Sequence, residues 1–205
     1  MLDLFVLGVP SYRQRFGSTT SAASRERFYR LLRACCAQVE HLREPFEGAI
    51  ECDRKGKRGW GAAGKVIVFG LVKRNGRVKA MPIPAHDRIS IMREIDAHTR
   101  EGALYCTDEW QAYATLKLRG EHVMIRKEKG RPVGRDHING IEGFWSYAKN
   151  RLYPYRGVPR QYFHLYLAEV CYRHNHRGEN LKPLIFSLLK QTSIQELRPT
   201  LVRKG

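Results

Sequence analysis

A β-hairpin pattern near the middle of the chain constrains the fold more than any other feature. Two strand-like stretches, 65–74 and 77–84, are separated by the dipeptide Asn75-Gly76. Asn-Gly favours the tight two-residue turn that joins antiparallel strands. The run Val66-Ile-Val-Phe69 is continuously apolar, which is typical of a strand that is covered on both faces. The pattern therefore predicts two antiparallel strands in the interior of a sheet.

Further strand and helix patterns alternate along the chain. Three joined strands, then helix, strand, helix, strand and helix, is the order of a ribonuclease H-like domain. We therefore predict an α/β fold with a mixed five-stranded RNase H-like sheet flanked by helices, spanning 46–190. The remaining strands are expected at 49–53, 103–108 and 122–127, and the helices at 87–99 with Ile89, Met92 and Ile95 inward, at 109–116, around Glu142, and at 159–174.

A helical segment, 1–45, is predicted before the sheet. Thr20 or Ser21 can cap its main helix, in which Phe28, Leu31, Leu32, Cys35 and Val39 share one face. Arginines lie largely on the opposite face, which is either a solvated surface or the remnant of a helix-turn-helix DNA-binding region. After the sheet domain, residues 191–205 are predicted to form a basic tail.

The charge of the chain restricts its partners. Lys and Arg number 37 against 20 Asp and Glu, which gives a net charge of +17. Such an excess points to a polyanion, although DNA, RNA and an anionic membrane surface all satisfy it. The longest apolar run, 66–72, is too short to cross a bilayer, and the opening residues lack a basic leader. The cysteines contain no C-x-x-C pair, which indicates reduced, buried thiols.

Three acidic residues are spaced as a nucleotidyl-transfer site requires. Asp53 and Asp108 each close a predicted strand, and Glu142 lies near the start of a predicted helix. Carboxylates supply the oxygen ligands that hold a divalent metal pair for in-line phosphoryl transfer. A single Asp at a strand end is more often a turn or cap residue, so the hypothesis depends on all three together. We predict that they are catalytic ligands of a pair of Mg²⁺ or Mn²⁺ ions.

Basic and polar residues are predicted to surround these carboxylates. Lys149 lies two helical turns after Glu142 on nearly the same face, where it can hold a phosphate. Two basic loops, after Asp53 and before the helix of Glu142, would contact DNA phosphates, whereas the alternative for both is solvated surface charge. Asn139 could also contribute a neutral oxygen ligand. The predicted DNA-binding residues are Arg54, Lys55, Lys57, Arg58, Lys65, Lys127, Lys129, Arg131, Arg135, His137, Asn139 and Lys149.

The acidic motifs resemble a known family. Asp53, Tyr105-Cys-Thr-Asp-Glu-Trp110 and His137-Ile-Asn-Gly-Ile-Glu-Gly-Phe-Trp145 are similar to the three blocks of small bacterial insertion-sequence DDE transposases with an ISXO-like transposase domain. Segments 54–70 and 172–177 resemble the same group, so that the likeness covers roughly 10–190. The three blocks together are far more specific than any one of them.

This resemblance implies an RNase H-like core that cuts transposon ends and joins them to target DNA. It matches Asp53, Asp108 and Glu142 to the metal-binding triad and Lys149 to the basic residue that follows it. It also implies double-stranded DNA as the partner, assembly of a homo-oligomer on that DNA, and a cytoplasmic, nucleoid-associated location in a bacterium.

The chain departs from the family pattern in two places. The family continues its first block with Glu and an aromatic-Gly-Gly turn, whereas Asp53 is followed directly by Arg54 and Lys55. Many relatives also begin with a zinc ribbon and a complete helix-turn-helix. These differences predict an N-terminally truncated copy with a short internal deletion, in which the fold is kept.

Three functions remain open at this point. The leading hypothesis is a metal-dependent DNA transposase, active or defective. The alternative is a non-catalytic protein that binds double-stranded DNA and keeps the transposase fold. An RNA-binding structural protein would account for the charge of +17 but not for the acidic triad.

Overall fold

The computed structural model describes residues 1–16, 19–56, 66–108, 111–125, 138–155 and 157–201. Its strands are β1 Ala49–Lys55, β2 Ile67–Lys73, β3 Val78–Ile83, β4 Leu104–Thr107 and β5 Glu121–Met124. They form one sheet in the order β3-β2-β1-β4-β5. Strands β1 and β3 are antiparallel to β2, while β4 is parallel to β1 and β5 is parallel to β4. This order and these directions are those of an RNase H-like sheet, so the predicted fold is confirmed.

Seven α-helices and three 3-10 helices occur in the described residues. The 3-10 helices span Ser11–Phe16, Gln111–Leu118 and Tyr153–Tyr155. No described helix is both long and apolar enough to cross a membrane. The α-helices are α1 Leu2–Val6, α2 Ala22–Leu42, α3 Arg88–His98, α4 Asn139–Leu152, α5 Arg160–Asn175, α6 Leu181–Gln191 and α7 Ile194–Leu201.

The chain divides into two compact units. Arg43–Tyr147 form a sheet unit, and Met1–Leu42 with Ala148–Gly205 form a helical unit. The predicted segments 1–45, 46–190 and 191–205 are functional divisions, and they stay predictions. Part of the predicted tail is helix α7, whose Leu197 is buried in the helical unit.

The sheet unit has its main core on one face of the sheet. Side chains alternate between the faces of a strand, and Ile50 and Cys52 of β1 pack in this core with Phe69 and Tyr105. The predicted hairpin between β2 and β3 is present, but its predicted two-residue loop was wrong. Lys73 N–H donates to the Arg77 carbonyl at 3.0 Å, so the loop has three residues, 74–76, and of these Asn75 has a φ of 56°. The other face of β1 therefore presents Glu51, Asp53 and Lys55.

Two details of the sheet unit differ from the predictions. Strand β1 does not end at Asp53, because its pairing with β2 continues to Lys55 opposite Val68. Arg54 and Lys55 therefore belong to a strand and not to a loop. Helix α3 buries Ile91 and Ile95, whereas Ile89 is 78% exposed. The predicted inward face of this helix was wrong at Ile89.

The helical unit is built around helix α2. Ser21 caps it, since the Ser21 hydroxyl accepts from Ser24 N–H at 3.1 Å, as predicted. Arg33, one of the arginines expected on the face opposite the apolar stripe, is instead 1% exposed and forms an ion pair of 2.7 Å with Glu169 of α5. All five cysteines are buried thiols outside any disulfide, as expected. Burial raises the pKa of Cys35 to about 11, which keeps this thiol protonated at neutral pH.

Candidate functional site

The structure brings Asp53 and Asp108 to neighbouring positions on adjacent parallel strands. In the pairing of β1 with β4, Cys52 lies opposite Thr107. Asp53 is the next residue of β1, and Asp108 is the first residue after β4. Glu51 and its partner Cys106 lie on the face opposite the main core, and Asp53 and Asp108 are two residues further along each chain. The two carboxylates therefore extend from the same end of the sheet.

The carboxylate of Asp53 is buried, accepts two hydrogen bonds and forms one ion pair. Asp53 as a whole is 6% exposed. The Arg54 backbone N–H donates to Oδ1 at 2.7 Å, and the indole N–H of Trp145 donates to Oδ2 at 3.1 Å. The Lys55 ammonium lies 3.0 Å from the same Oδ2. Among the described residues, Lys55 is the one positively charged group that forms an ion pair with Asp53.

One oxygen of Asp108, Oδ1, is buried and has no hydrogen-bond partner in the described part of the chain. The hydroxyl of Thr107 donates to the Asp108 carbonyl at 2.9 Å and therefore accepts from His122 Nε2–H at 2.8 Å. Burial first, and then Lys117, lower the pKa of His122, which favours its neutral ring. A buried carboxylate oxygen without a donor is costly unless a cation binds it.

Helix α4 covers the same face of the sheet and carries Glu142. Trp145, one turn after Glu142, is buried against β2 at Gly70, the residue that pairs with Asp53. A Cβ atom at Gly70 would lie 2.7 Å from Trp145 Cζ2 and 3.0 Å from Ile141 Cδ1. The glycine therefore allows the close approach that brings the Trp145 indole to Asp53.

Glu51 holds the start of helix α4. Its side chain is 2% exposed, and Oε2 accepts from the Ile141 backbone N–H at 2.8 Å. Arg74 lies 3.5 Å from the other oxygen. The first N–H groups of a helix have no partner within the helix and carry partial positive charge, so a buried carboxylate satisfies both requirements. Glu51 thus sets where the helix of Glu142 begins against the sheet.

The negative charges of Asp53 and Asp108 act on one buried hydroxyl. Tyr113, in the 3-10 helix Gln111–Leu118, is fully buried. Burial raises its pKa well above the ordinary value, and Cys52, Asp108 and Asp53 raise it further, while Arg54 acts in the opposite direction. Tyr113 therefore stays protonated near the two carboxylates.

The predicted DNA-binding residues are only partly described. Arg54 contacts His86, with Nη1 and Nδ1 2.6 Å apart, and Lys55 contacts Asp53. Asn139 begins α4, and Lys149 lies on the same helix two turns after Glu142. The other predicted residues, Lys57, Arg58, Lys65, Lys127, Lys129, Arg131, Arg135 and His137, lie outside the described residues.

The fit of a metal rests on the donor set. Asp53, Asp108 and Glu142 offer the carboxylate oxygens that Mg²⁺ and Mn²⁺ take, and Asp108 Oδ1 has no other partner among the described residues. No group of three or more His, Cys, Asp or Glu side chains in the described ranges is arranged to hold a metal ion. Coordination of one ion by all three carboxylates stays a prediction.

Sequence reasoning missed three contributors to the site. Glu51 lies two residues before Asp53, and the period of a strand places both on one face. Gly70 interrupts a continuously apolar strand, which is a signal of close approach by another element. Trp145 closes the third acidic motif, three residues after Glu142. Its bond to Asp53 had no local signal, because the two residues are 92 positions apart.

The strand order and the helix over the acidic face place this chain in the RNase H-like class of α/β domains. The profile of the ISXO2-like transposase domain matches residues 38–175. The chain belongs to this family, as its acidic motifs predicted. An uncharacterized transposase-like protein of Haemophilus influenzae is 28% identical over 116 residues, which are 56% of this chain and 92% of that protein. The catalytic core domain of BIV integrase, 16% identical, aligns with 71% of this chain and 97% of its own at a TM-score of 0.44.

Proposed function

We propose that this protein is a DNA transposase that cleaves the ends of an insertion sequence and joins them to target DNA with the help of divalent metal. The observation that carries the proposal is the adjacency of Asp53 and Asp108 at one end of the sheet, beneath the helix that bears Glu142. Membership of the ISXO2-like transposase family supports DNA as the substrate.

The proposed roles follow from the contacts of each residue. Asp53, Asp108 and Glu142 would hold the ions. The ions would lower the pKa of the attacking water or 3′-hydroxyl and stabilise the leaving oxygen. Glu51 and Trp145 hold α4 and its Glu142 against β1, through bonds of 2.8 and 3.1 Å. Lys149, exposed on α4, would contact a DNA phosphate.

A non-catalytic DNA-binding protein is the second candidate. The observation that favours it is the set of donors on Asp53, since an indole, a backbone amide and the Lys55 ammonium already contact this carboxylate. A protein of net charge +17 would still bind duplex DNA through its phosphates without a working metal site.

Nicking of a duplex that carries the ends of the element distinguishes these functions. The full chain, incubated with Mn²⁺ or Mg²⁺, is expected to nick the end-containing duplex, and Asp108→Asn, which keeps the side-chain shape, is expected to abolish nicking while duplex binding persists. Binding with no nicking above the Asp108→Asn background, in either metal, would favour the non-catalytic protein.

A further inference from the structure

We propose that the Lys55 ammonium serves as an internal counter-ion of Asp53 and must leave this carboxylate before a divalent ion can bind there. This inference rests on the proposed function, because it concerns the same metal site. It adds a residue of this chain that limits the affinity of the site for metal, and it gives Lys55 a role other than a contact to DNA.

The strand geometry brings Lys55 to Asp53. The two residues are separated by one position in β1, so both side chains extend from the same face. The Lys55 Nζ atom lies 3.0 Å from Asp53 Oδ2. Pairing of β1 with β2 as far as Lys55 opposite Val68 keeps this part of the strand extended, so the Lys55 stem starts on the face that carries Asp53.

The charge balance at Asp53 depends on Lys55. The Asp53 side chain is only 9% exposed, and a buried carboxylate requires compensation. Of the three partners of Asp53 in the described structure, the Arg54 amide and the Trp145 indole are neutral. Among the described residues, the positive charge at this carboxylate therefore comes from Lys55.

The three partners of Asp53 differ in whether they can move away from its carboxylate. Trp145 is 6% exposed and packs against Gly70, and the amide of Arg54 belongs to the strand itself. The Lys55 side chain is 52% exposed and ends a flexible stem, so its ammonium can move into water. Lys55 and Trp145 both contact Oδ2, so a cation that binds this oxygen is repelled by the Lys55 charge unless the ammonium moves away. Metal binding at Asp53 is thus an exchange of one cation for another.

The experiment is a titration of the full-length protein with Mn²⁺, followed by the electron paramagnetic resonance signal of the free ion. Lys55→Gln is expected to bind Mn²⁺ about threefold to fivefold more tightly than the parent, because the ion no longer displaces a partly exposed ion pair. Lys55→Arg keeps the charge and should not show this gain. Circular dichroism spectra confirm that each variant is folded.

A matched control removes the same charge elsewhere in the sheet unit. Lys73 of β2 forms a looser ion pair with Glu47 at 3.9 Å, with side chains 41% and 63% exposed, and Lys73→Gln should leave Mn²⁺ affinity unchanged. Asp108→Asn should remove the high-affinity binding and so assign it to this site.

The outcomes separate the two proposals. Equal affinity of the parent, Lys55→Gln and Lys73→Gln, with binding lost in Asp108→Asn, would overturn the role of Lys55 and leave the metal site intact. Equal gains in Lys55→Gln and Lys73→Gln would also overturn it, because only net charge would then matter. Absence of Mn²⁺ binding in folded parent and folded Lys55→Gln would overturn the metal site and this inference together. Binding that appears only in Lys55→Gln would support the inference in its strongest form.

Discussion

At the scale of single residues, Gly70 determines how closely helix α4 approaches the acidic face of the sheet. It pairs with Asp53 across β1 and β2, and Trp145 occupies the space above it. The contact matters for the site because the same indole donates to Asp53 at 3.1 Å. Any side chain at this position would separate the helix from the carboxylate that it helps to orient.

Gly70→Ala is therefore expected to destabilise the protein. The added Cβ would lie 2.7 Å from Trp145 Cζ2, and the displacement of a packed ring typically costs about 1–3 kcal/mol of unfolding free energy. Urea unfolding followed by circular dichroism measures the change. Gly143→Ala, on α4 with nothing within 4 Å of its Cβ, is the control and should be neutral or stabilising. A Gly70→Ala variant as stable as the parent would show that the helix can shift without loss.

At the scale of elements, the placement of α4 depends on a buried carboxylate from β1. Glu51 accepts from the Ile141 N–H, and Gly140 leaves room for it, since a Cβ there would lie 2.8 Å from Glu51 Oε2. The strand that carries Asp53 thus also supplies the cap for the helix that carries Glu142. The hydrogen bond from Ile141 to Glu51 therefore links the strand of Asp53 to the helix of Glu142.

Removal of this cap should weaken the sheet unit. Glu51→Ala is expected to lower the unfolding free energy by about 2 kcal/mol, because a helix cap and a buried hydrogen bond are lost together. Glu51→Gln keeps an acceptor oxygen and should lose less. Glu47→Ala, which removes an exposed carboxylate at 63% exposure, should change stability by no more than about 0.5 kcal/mol. Equal losses at positions 51 and 47 in urea unfolding would contradict the capping role.

The elements also show what local sequence can and cannot predict. The hairpin at Asn75-Gly76 was predictable, because this dipeptide favours a tight turn between antiparallel strands. Its three-residue loop was not, because the loop length depends on how β2 and β3 pair. The end of β1 was not, because pairing with β2 extends the strand through the charged residues Arg54 and Lys55. The error at Ile89 has a similar cause, since either of two overlapping apolar stripes could face inward and only the sheet selects the one with Ile91.

The candidate site also has one part that the sequence could predict and one part that it could not. The adjacency of Asp53 and Asp108 could be predicted from the sequence, because each follows an apolar strand pattern. A site that also includes Glu142 stays a prediction. The bonds that organise these elements could not be predicted, because Glu51 to Ile141 and Asp53 to Trp145 span 90 and 92 positions. Such contacts depend on tertiary packing, which no window of local pattern contains.

At the scale of the whole molecule, the helical unit contains a buried ionic network. Glu169 accepts from Arg33 at 2.7 Å and from Arg173 at 2.8 Å, and all three are at most 5% exposed. Arg173 also donates to the backbone carbonyl of Val6 at 2.8 Å. Removal of one member of such a network leaves a charge buried without its partner, which is strongly destabilising.

This network predicts a loss of stability in acid. Burial acts to raise the pKa of Glu169, but Arg33 and Arg173 lower it more, so that its pKa in the folded protein is below the ordinary value. The stabilisation is therefore complete above the unfolded pKa, about 4.3, and is lost as the pH falls through the lower folded pKa.

Urea unfolding followed at 222 nm between pH 7 and pH 2 measures this effect. Glu169→Gln should be less stable than the parent at pH 7 and should show a weaker decline in acid. Glu179→Gln, at an exposed carboxylate of the same unit, should behave as the parent. A Glu169→Gln variant with the full acid dependence of the parent would assign that dependence to other carboxylates.

The net charge of +17 supports the last prediction, which concerns DNA affinity. Lys127, Lys129 and Arg131 belong to the basic segment that precedes helix α4, and we expect them to contact phosphates without reading bases. Replacement of all three by Ala should weaken duplex binding equally for all sequences. It should also reduce the slope of log affinity against log salt by up to about 2.7, because each lost phosphate contact releases fewer counterions.

A matched triple variant separates a local contact from a general loss of charge. Arg77, Arg88 and Arg93 are exposed in the sheet unit and are outside the predicted DNA-binding set, so their replacement by Ala removes the same charge. Fluorescence anisotropy of a labelled duplex at several salt concentrations compares the two triples. A smaller change in slope for the Arg77, Arg88 and Arg93 triple would place the contacts in the segment before α4. Equal changes in slope for the two triples would mean that DNA affinity depends on the total charge of the basic surface. The segment before α4 would then make no special contact with phosphates.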